Sequence, residues 1–147
     1  MGVYLNPGNV DFQEVLNSKI YVDKSELIQY TNSVLRTTQK YICVSRPRRF
    51  GKSMAANMLT AYYSRGCDSR EMFQELKIAK HTDFEKHLNQ YNVIHLNMRD
   101  YLTESENMKQ LIQFVEEDLL DELQQEFADL RMPRRRTLVK VLEQAFA

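Results

Sequence analysis

The sequence predicts a helix-rich α/β fold with few strands and an incomplete parallel sheet. An apolar run at 41–45 is typical of a short buried strand, and apolar residues recur at helical spacing over 53–64. A second strand is predicted at 92–100, where apolar and polar residues alternate. Strand, turn, helix and strand in this order predict a βαβ unit, in which the two strands are parallel.

The other predicted elements are helices, because their apolar residues recur every three or four positions. Asp23 is predicted to cap the second of them. The fifth is long, carries an acidic face that is typical of a solvated helix surface, and ends at Met132-Pro133. In chain order these helices begin at Asp11, Lys24, Asp68, Thr82, Glu106 and Arg134.

A single domain is the default for a chain of 147 residues. Within it we expect an N-terminal helical segment at 1–39, the strand, turn, helix and strand unit at 40–101, and a helical extension at 106–147. A complete sheet of this class has about five strands, so two predicted strands leave it incomplete. We therefore expect the chain to be the N-terminal part of a longer protein, and we predict a homodimer through the exposed sheet edge.

The composition excludes several classes of protein. The 20 basic and 20 acidic side chains cancel, which gives no support to a role in coating nucleic acid. No apolar run approaches the length of a membrane-spanning helix, and the N-terminus lacks the basic start and apolar core of a signal peptide. Cys43 and Cys67 suit neither a disulfide framework nor a CxxC site. We expect a cytoplasmic protein without a membrane segment.

The segment SRPRRFGKS, from Ser45 to Ser53, carries the strongest functional signal. It is similar to the phosphate-binding P-loop G-x-x-x-x-G-K-[ST], with Arg46 at the position of the first glycine. Gly51 has no Cβ, so the backbone can approach phosphates closely. Lys52 is the predicted catalytic residue, because its ammonium opposes the charge that develops on the β- and γ-phosphates. Ser53 is predicted to offer its hydroxyl to Mg²⁺.

The predicted ligands are therefore ATP and Mg²⁺. Backbone N–H groups between 48 and 51 are expected to cradle the phosphates at the start of a helix, where the helix dipole also favours an anion. The predicted nucleotide-binding residues are Arg48, Arg49, Phe50, Gly51, Lys52, Ser53 and Met54.

A P-loop ATPase also needs a carboxylate at the end of a neighbouring buried strand to hold the water shell of the metal. Asp100, at the end of 92–100, is the one candidate in the sequence. That run alternates, whereas central parallel strands are apolar on both faces, so we expect the carboxylate to lie beyond residue 147. The three histidines have no spacing typical of metal ligands.

Several motifs in order make the chain similar to the AAA-ATPase-like family, a group of predicted bacterial ATPases. They are Asn6-Pro7 with Phe12, then YVDKS at 21–25, then RPRRFGKS at 46–53. The similarity runs from about Tyr4 to about Met98, and Arg46 is the usual residue of that family. It implies a P-loop ATPase domain, which in full-length relatives precedes a nuclease-like domain of the PD-(D/E)XK type.

The first functional hypothesis is an ATPase module that hydrolyses the β–γ bond in the full-length protein. The similarity to the family implies that the adenine lies against the N-terminal segment, near Asn6-Pro7 or near 21–23. Attached domains would then account for any nucleic-acid partner. On this hypothesis the isolated chain is expected to be inactive by itself.

Two other hypotheses remain open. In one, the chain is a non-catalytic module that binds nucleotide or nucleic-acid phosphate through Arg46, Arg48, Arg49 and the cluster Arg134–Arg136. In the other, it is a structural fragment without activity. A steep salt dependence of DNA binding, lost when the loop arginines are replaced by alanine, would distinguish the non-catalytic module from the ATPase.

Overall fold

The computed structural model describes residues 2–128 and 137–146. Within these ranges the chain is helix-rich and contains no β-strand. One compact unit comprises Asn6–Val93, and the other comprises the described residues of 1–5 and 94–147. In chain order the helices are α1 (Val10–Leu16), α2 (Glu26–Val34), α3 (Lys52–Tyr63), α4 (Arg70–Phe73), the 3₁₀ helix Lys77–Lys80, α5 (Phe84–His87), α6 (Met98–Glu104), α7 (Met108–Glu126) and α8 (Leu138–Ala145).

The predicted α/β fold with an incomplete parallel sheet is wrong for the described residues. The apolar run at 41–45 is exposed, with Tyr41 85% exposed, and it makes no backbone hydrogen bond to another part of the described chain. A strand is stable only beside a hydrogen-bonded neighbour, and none lies next to this run. An apolar segment therefore stays without regular structure.

The second predicted strand, 92–100, finds other partners instead. The N–H of Tyr91 donates to the carbonyl of Tyr63, and the N–H of Asn6 donates to the carbonyl of Val93. These contacts form isolated bridges and no ladder. The end of the predicted strand is helical, because the Asn97 side chain caps α6 by accepting from the N–H of Arg99 at 3.3 Å.

The unit Asn6–Val93 is built around an aromatic core that anchors α3. Phe12 stacks on Phe73 with ring centroids 5.1 Å apart, and Tyr62 meets Phe73 edge-on at 5.6 Å. Met58 and Tyr62, one helical turn apart, bury the same face of α3. Because that face is fixed in the core, the N-terminus of α3 is held at a defined place on the surface of the unit.

A polar network beside this core also holds α3. The Tyr63 hydroxyl donates to the Asn32 side chain at 2.6 Å, and the Asn32 amide donates to the Tyr62 hydroxyl at 3.2 Å. The Tyr62 hydroxyl in turn donates to the carbonyl of Phe84 at 2.7 Å. Burial raises the pKa of Tyr62 to about 12, so both hydroxyls remain protonated donors at neutral pH.

The second unit is organised by α7, the long helix that the sequence predicts from Glu106. Asn107 caps it by accepting from the N–H of Gln110 at 3.0 Å, and Leu123 is buried against Leu5 and Val141. The predicted helix end at Met132-Pro133 lies outside the described residues. None of the helices of residues 2–128 and 137–146 combines the length and apolar character that a membrane span requires. The divisions predicted at 1–39, 40–101 and 106–147 remain a prediction.

Candidate functional site

The segment between Arg46 and Lys52 forms a tight loop that leads directly into α3. Gly51 is the N-cap of α3 and has a left-handed backbone, with φ of 77°. Arg49 is also left-handed, with φ of 66°. Such a conformation is favourable for glycine and strained for a residue with a Cβ, which explains why glycine precedes the lysine.

The Lys52 side chain folds back onto the start of its own loop. Its Nζ donates to the carbonyl oxygen of Pro47 at 2.9 Å and also to that of Arg46. Lys52 is exposed, and it forms no ion pair with a carboxylate of the described residues. The ammonium thus closes residues 46–52 into a ring and keeps its charge uncompensated by any acidic side chain there.

The first turn of α3 offers backbone donors next to this ring. The first intrahelical bond runs from the N–H of Ala55 to the carbonyl of Gly51 at 2.9 Å, and no side chain caps the helix. Within the described part of the chain, the N–H groups of Lys52, Ser53 and Met54 consequently have no acceptor. Free N–H groups and the positive end of the helix dipole both favour an anion at this end.

A second lysine reaches the loop from another element. Lys24 Nζ donates to the carbonyl oxygen of Phe50 at 2.7 Å, and a Cβ at Gly51 would lie 2.9 Å from this nitrogen. Asp23 fixes the segment by accepting from the N–H of Ser25 and from the N–H of Lys77, both at 2.8 Å. Lys24 belongs to the YVDKS motif, but the motif does not predict this contact.

Arg46, Arg48 and Arg49 are all exposed. The ion pairs found in the described part of the chain, Arg70 with Glu85 and Lys77 with Glu26, involve none of them. The loop therefore presents three guanidinium groups that no carboxylate of residues 2–128 or 137–146 neutralises. The other predicted cationic cluster, Arg134–Arg136, lies outside the described residues.

A cavity of about 300 Å³ opens beside the loop. Of the two predicted adenine neighbours, the segment at Tyr21 and Val22 lines it, whereas Asn6 is occupied in accepting from the N–H of Val93 at 2.8 Å. The wall of the cavity is apolar and its polar edge comes from the loop. The wall is formed by Phe12, Ile20, Tyr21, Val22, Phe50, Met54, Ala55 and Met58, and the edge by Lys24, Arg49 and Gly51.

Ser53 and Asp100 are the residues that the sequence connects with a metal. Ser53 is exposed in the first turn of α3, next to the loop. Asp100 lies in the first turn of α6, in the other unit, and accepts from the Asn97 amide at 2.9 Å. No group of three or more His, Cys, Asp or Glu side chains in the described residues could hold a metal ion.

Comparison with known proteins finds a matching family. A family model described as predicted AAA-ATPase matches residues 7–146, which is nearly the whole chain. No curated protein and no solved structure matches the chain.

Proposed function

Because the chain belongs to the AAA-ATPase-like family, we propose that it binds ATP with the phosphates at the loop 48–53. The observation that carries this proposal is the closed ring at Lys52, which lies beside free N–H groups of α3 and an apolar cavity. A nucleotide needs cationic and N–H donors for its phosphates and an apolar surface for its base, and these occur here side by side.

The phosphate end of the site would combine charge with backbone donors. Lys52 has three donor positions, and two are used by the carbonyls of Arg46 and Pro47, so one remains for a phosphate oxygen. The N–H groups of Ser53 and Met54 are within the same turn. The backbone between Arg48 and Gly51 completes the proposed cradle, and Gly51 lets a ligand approach the chain.

The base would occupy the apolar cavity. Tyr21, Phe50 and Met54 line its wall, and aromatic side chains stack on a base through its π-face. The volume of about 300 Å³ is at the lower end for ligand pockets, as suits one part of a nucleotide. Of the two adenine positions that the similarity to the family implies, the cavity favours the one at 21–23.

Mg²⁺ fits the same end of the site. The Ser53 hydroxyl is exposed where the phosphates would lie, and Mg²⁺ prefers one or two protein oxygens together with phosphate oxygens and water. When bound, the ion neutralises negative charge on the β- and γ-phosphates. Lys52 would add a positive charge at the same oxygens. The proposed reaction is hydrolysis of the β–γ bond of ATP.

Isothermal titration calorimetry with Mg·ATP tests the proposal. We expect the wild-type chain to bind ATP, and we expect Lys52→Ala to abolish binding, because it removes both the charge and the ring closure. Lys109→Ala is the matched control, since Lys109 is also exposed and lies in the other unit. The proposal fails if Lys52→Ala binds ATP as tightly as wild type.

A second candidate is phosphate binding without turnover. It is favoured by the arginines of the loop, Arg46, Arg48 and Arg49, which no described carboxylate neutralises. On this hypothesis the chain binds single-stranded DNA with a steep salt dependence. Replacing the three arginines by alanine would then flatten that dependence, whereas binding of ATP alone would favour the first candidate.

A further inference from the structure

We propose that Lys24 is a second phosphate-binding lysine of this site, which contacts the polyphosphate chain together with Lys52. The inference rests on the proposed function and extends it to a residue outside the loop. Lys24 Nζ lies 2.7 Å from the Phe50 carbonyl oxygen and lines the same cavity as Gly51. It is exposed and forms no ion pair with a described carboxylate.

The position of Lys24 is set by its neighbours in the chain. Asp23 accepts from the N–H of Lys77, and the Ser25 hydroxyl accepts from the N–H of Ile78 at 3.1 Å. Ser25 is fully buried. The residues on both sides of Lys24 are therefore attached to the core of the unit, while its own side chain extends to the loop. A cation presented from a fixed segment loses less conformational freedom on binding than one on a free surface.

The ammonium of Lys24 has donors to spare. It carries three N–H groups, and the Phe50 carbonyl uses one of them. Gly51 leaves room for it, because a Cβ there would lie 2.9 Å from the nitrogen. Two donors and a full charge therefore remain available for a ligand beside Gly51, at the edge of the cavity that Lys24 lines.

A purely structural role gives a different expectation. If Lys24 only held the Phe50 carbonyl, replacing its side chain would lower the affinity for every ligand of the loop to the same degree. If it contacts phosphate, the loss increases with the number of phosphates and with the charge of the ligand. Comparing ATP, ADP and AMP on the same variants separates these two roles, and so does the dependence of binding on salt.

The experiment is calorimetry of the full chain with ATP, ADP and AMP. Lys24→Met keeps the length of the side chain and removes its charge, and Lys24→Arg keeps the charge. Lys19→Met is the matched control, because Lys19 is exposed in the same unit and does not line the cavity. A charge-assisted hydrogen bond contributes about 1.5–3 kcal/mol, so Lys24→Met should weaken ATP about tenfold or more.

We expect Lys24→Met to lose less affinity for ADP than for ATP, and its affinity for AMP should stay within about twofold of wild type. Binding of ATP by this variant should also depend less steeply on salt than in the wild-type chain. Lys24→Arg should recover most of the affinity. An equal loss for all three nucleotides would overturn the inference in favour of a structural role. Unchanged ATP binding in Lys24→Met while Lys52→Ala fails to bind would overturn it and leave the proposed function intact. Absence of ATP binding by the wild-type chain would overturn both.

Discussion

The carboxylate of Asp23 and the backbone N–H of Lys77 are joined by a hydrogen bond of 2.8 Å, although 54 positions separate them in the sequence. The other carboxylate oxygen accepts from the N–H of Ser25. The Asp23 side chain thus connects the segment before α2 to the start of the 3₁₀ helix. Lys24 lies in that segment, between Asp23 and Ser25. The position of Lys24 beside the loop therefore depends on Asp23, although the negative charge of this residue would repel a phosphate.

The first prediction concerns acid stability through Asp23. Burial alone would raise the pKa of Asp23, but hydrogen bonds from Ser25 and Lys77, together with the charge of Lys77, hold it below its ordinary value. The unfolded chain therefore binds this proton more readily than the folded one. The stabilisation is complete above the unfolded pKa of about 3.9 and is lost as the pH falls through the folded pKa.

Urea denaturation between neutral and acidic pH measures this effect. We expect Asp23→Asn to lower the free energy of unfolding by about 1 kcal/mol at neutral pH and to reduce the dependence on pH below about 4. Asp121→Asn, an exposed residue of α7, should change neither quantity. If the free energy of unfolding of Asp23→Asn depended on pH as in the wild-type chain, Asp23 would not be the source of the acid sensitivity.

The second prediction separates backbone strain from crowding at the loop. Gly51 and Gly66 both have a left-handed backbone, with φ of 77° and 87°, but a Cβ at Gly66 would meet nothing within 4 Å. Alanine at either position should cost about 1–2 kcal/mol of stability. Only Gly51→Ala displaces Lys24, so only this variant should also lose affinity for ATP in calorimetry. Equal affinity losses in the two variants would refute the crowding argument.

The third prediction concerns Asn89, a left-handed residue with φ of 54° whose side chain organises the end of α3. Its amide donates to the carbonyl of Ser64 at 2.7 Å and to that of Ala61 at 3.1 Å, and its oxygen accepts from the N–H of Ser69. Asn89→Asp keeps the acceptor and places a negative charge against two carbonyls. We expect a loss of about 2–3 kcal/mol in thermal or urea unfolding.

The control for Asn89 is Asn17→Asp. The Asn17 oxygen accepts from the Gln13 amide at 3.1 Å at the exposed C-terminal end of α1, and aspartate preserves that bond. The added charge lies at the negative end of the helix dipole, so Asn17→Asp should lower the free energy of unfolding by no more than about 1 kcal/mol. A similar loss in both variants would mean that the added charge, and not the lost donor, is responsible.

The fourth prediction tests the base-binding wall through Phe50. This side chain is 59% exposed, so Phe50→Ala should change stability by less than about 0.5 kcal/mol. Loss of stacking on a base costs about 1–3 kcal/mol, so ATP should bind about fivefold or more weakly. Tripolyphosphate has no base, and its affinity should be unaffected. Calorimetry measures both affinities, and an equal loss of affinity for ATP and for tripolyphosphate in Phe50→Ala would contradict the proposal.

The positions of several helices could be predicted from the sequence, because helical spacing acts over short distances. The predicted cap is wrong, because Ser25 and not Asp23 precedes α2, and no side chain caps that helix. The helix predicted over 53–64 is α3, which begins at Lys52, and the long helix predicted from Glu106 begins at Met108. The two predicted strands are wrong for the described residues, because a strand depends on a partner that is distant in the sequence. The run at 41–45 has the composition of a buried strand, but pairing requires a distant partner, and the backbone of 91–95 is bonded to other segments.

The candidate site shows the same division. The residues of GKS come together because they are contiguous, so their position in the loop follows from the motif. The contact between Lys24 and Phe50 could not be predicted from spacing, since it depends on the packing of α2 and of the 3₁₀ helix. The YVDKS motif marked this segment without indicating what its lysine contacts.

The ring that Lys52 closes has an energetic consequence. Its ammonium already rests on the carbonyls of Arg46 and Pro47, so the loop is preorganised before any ligand arrives. An incoming anion then meets a loop that is already folded, and it displaces no carboxylate of residues 2–128 or 137–146 from the lysine. The affinity for the anion would then not be lowered by the free-energy cost of ordering the loop.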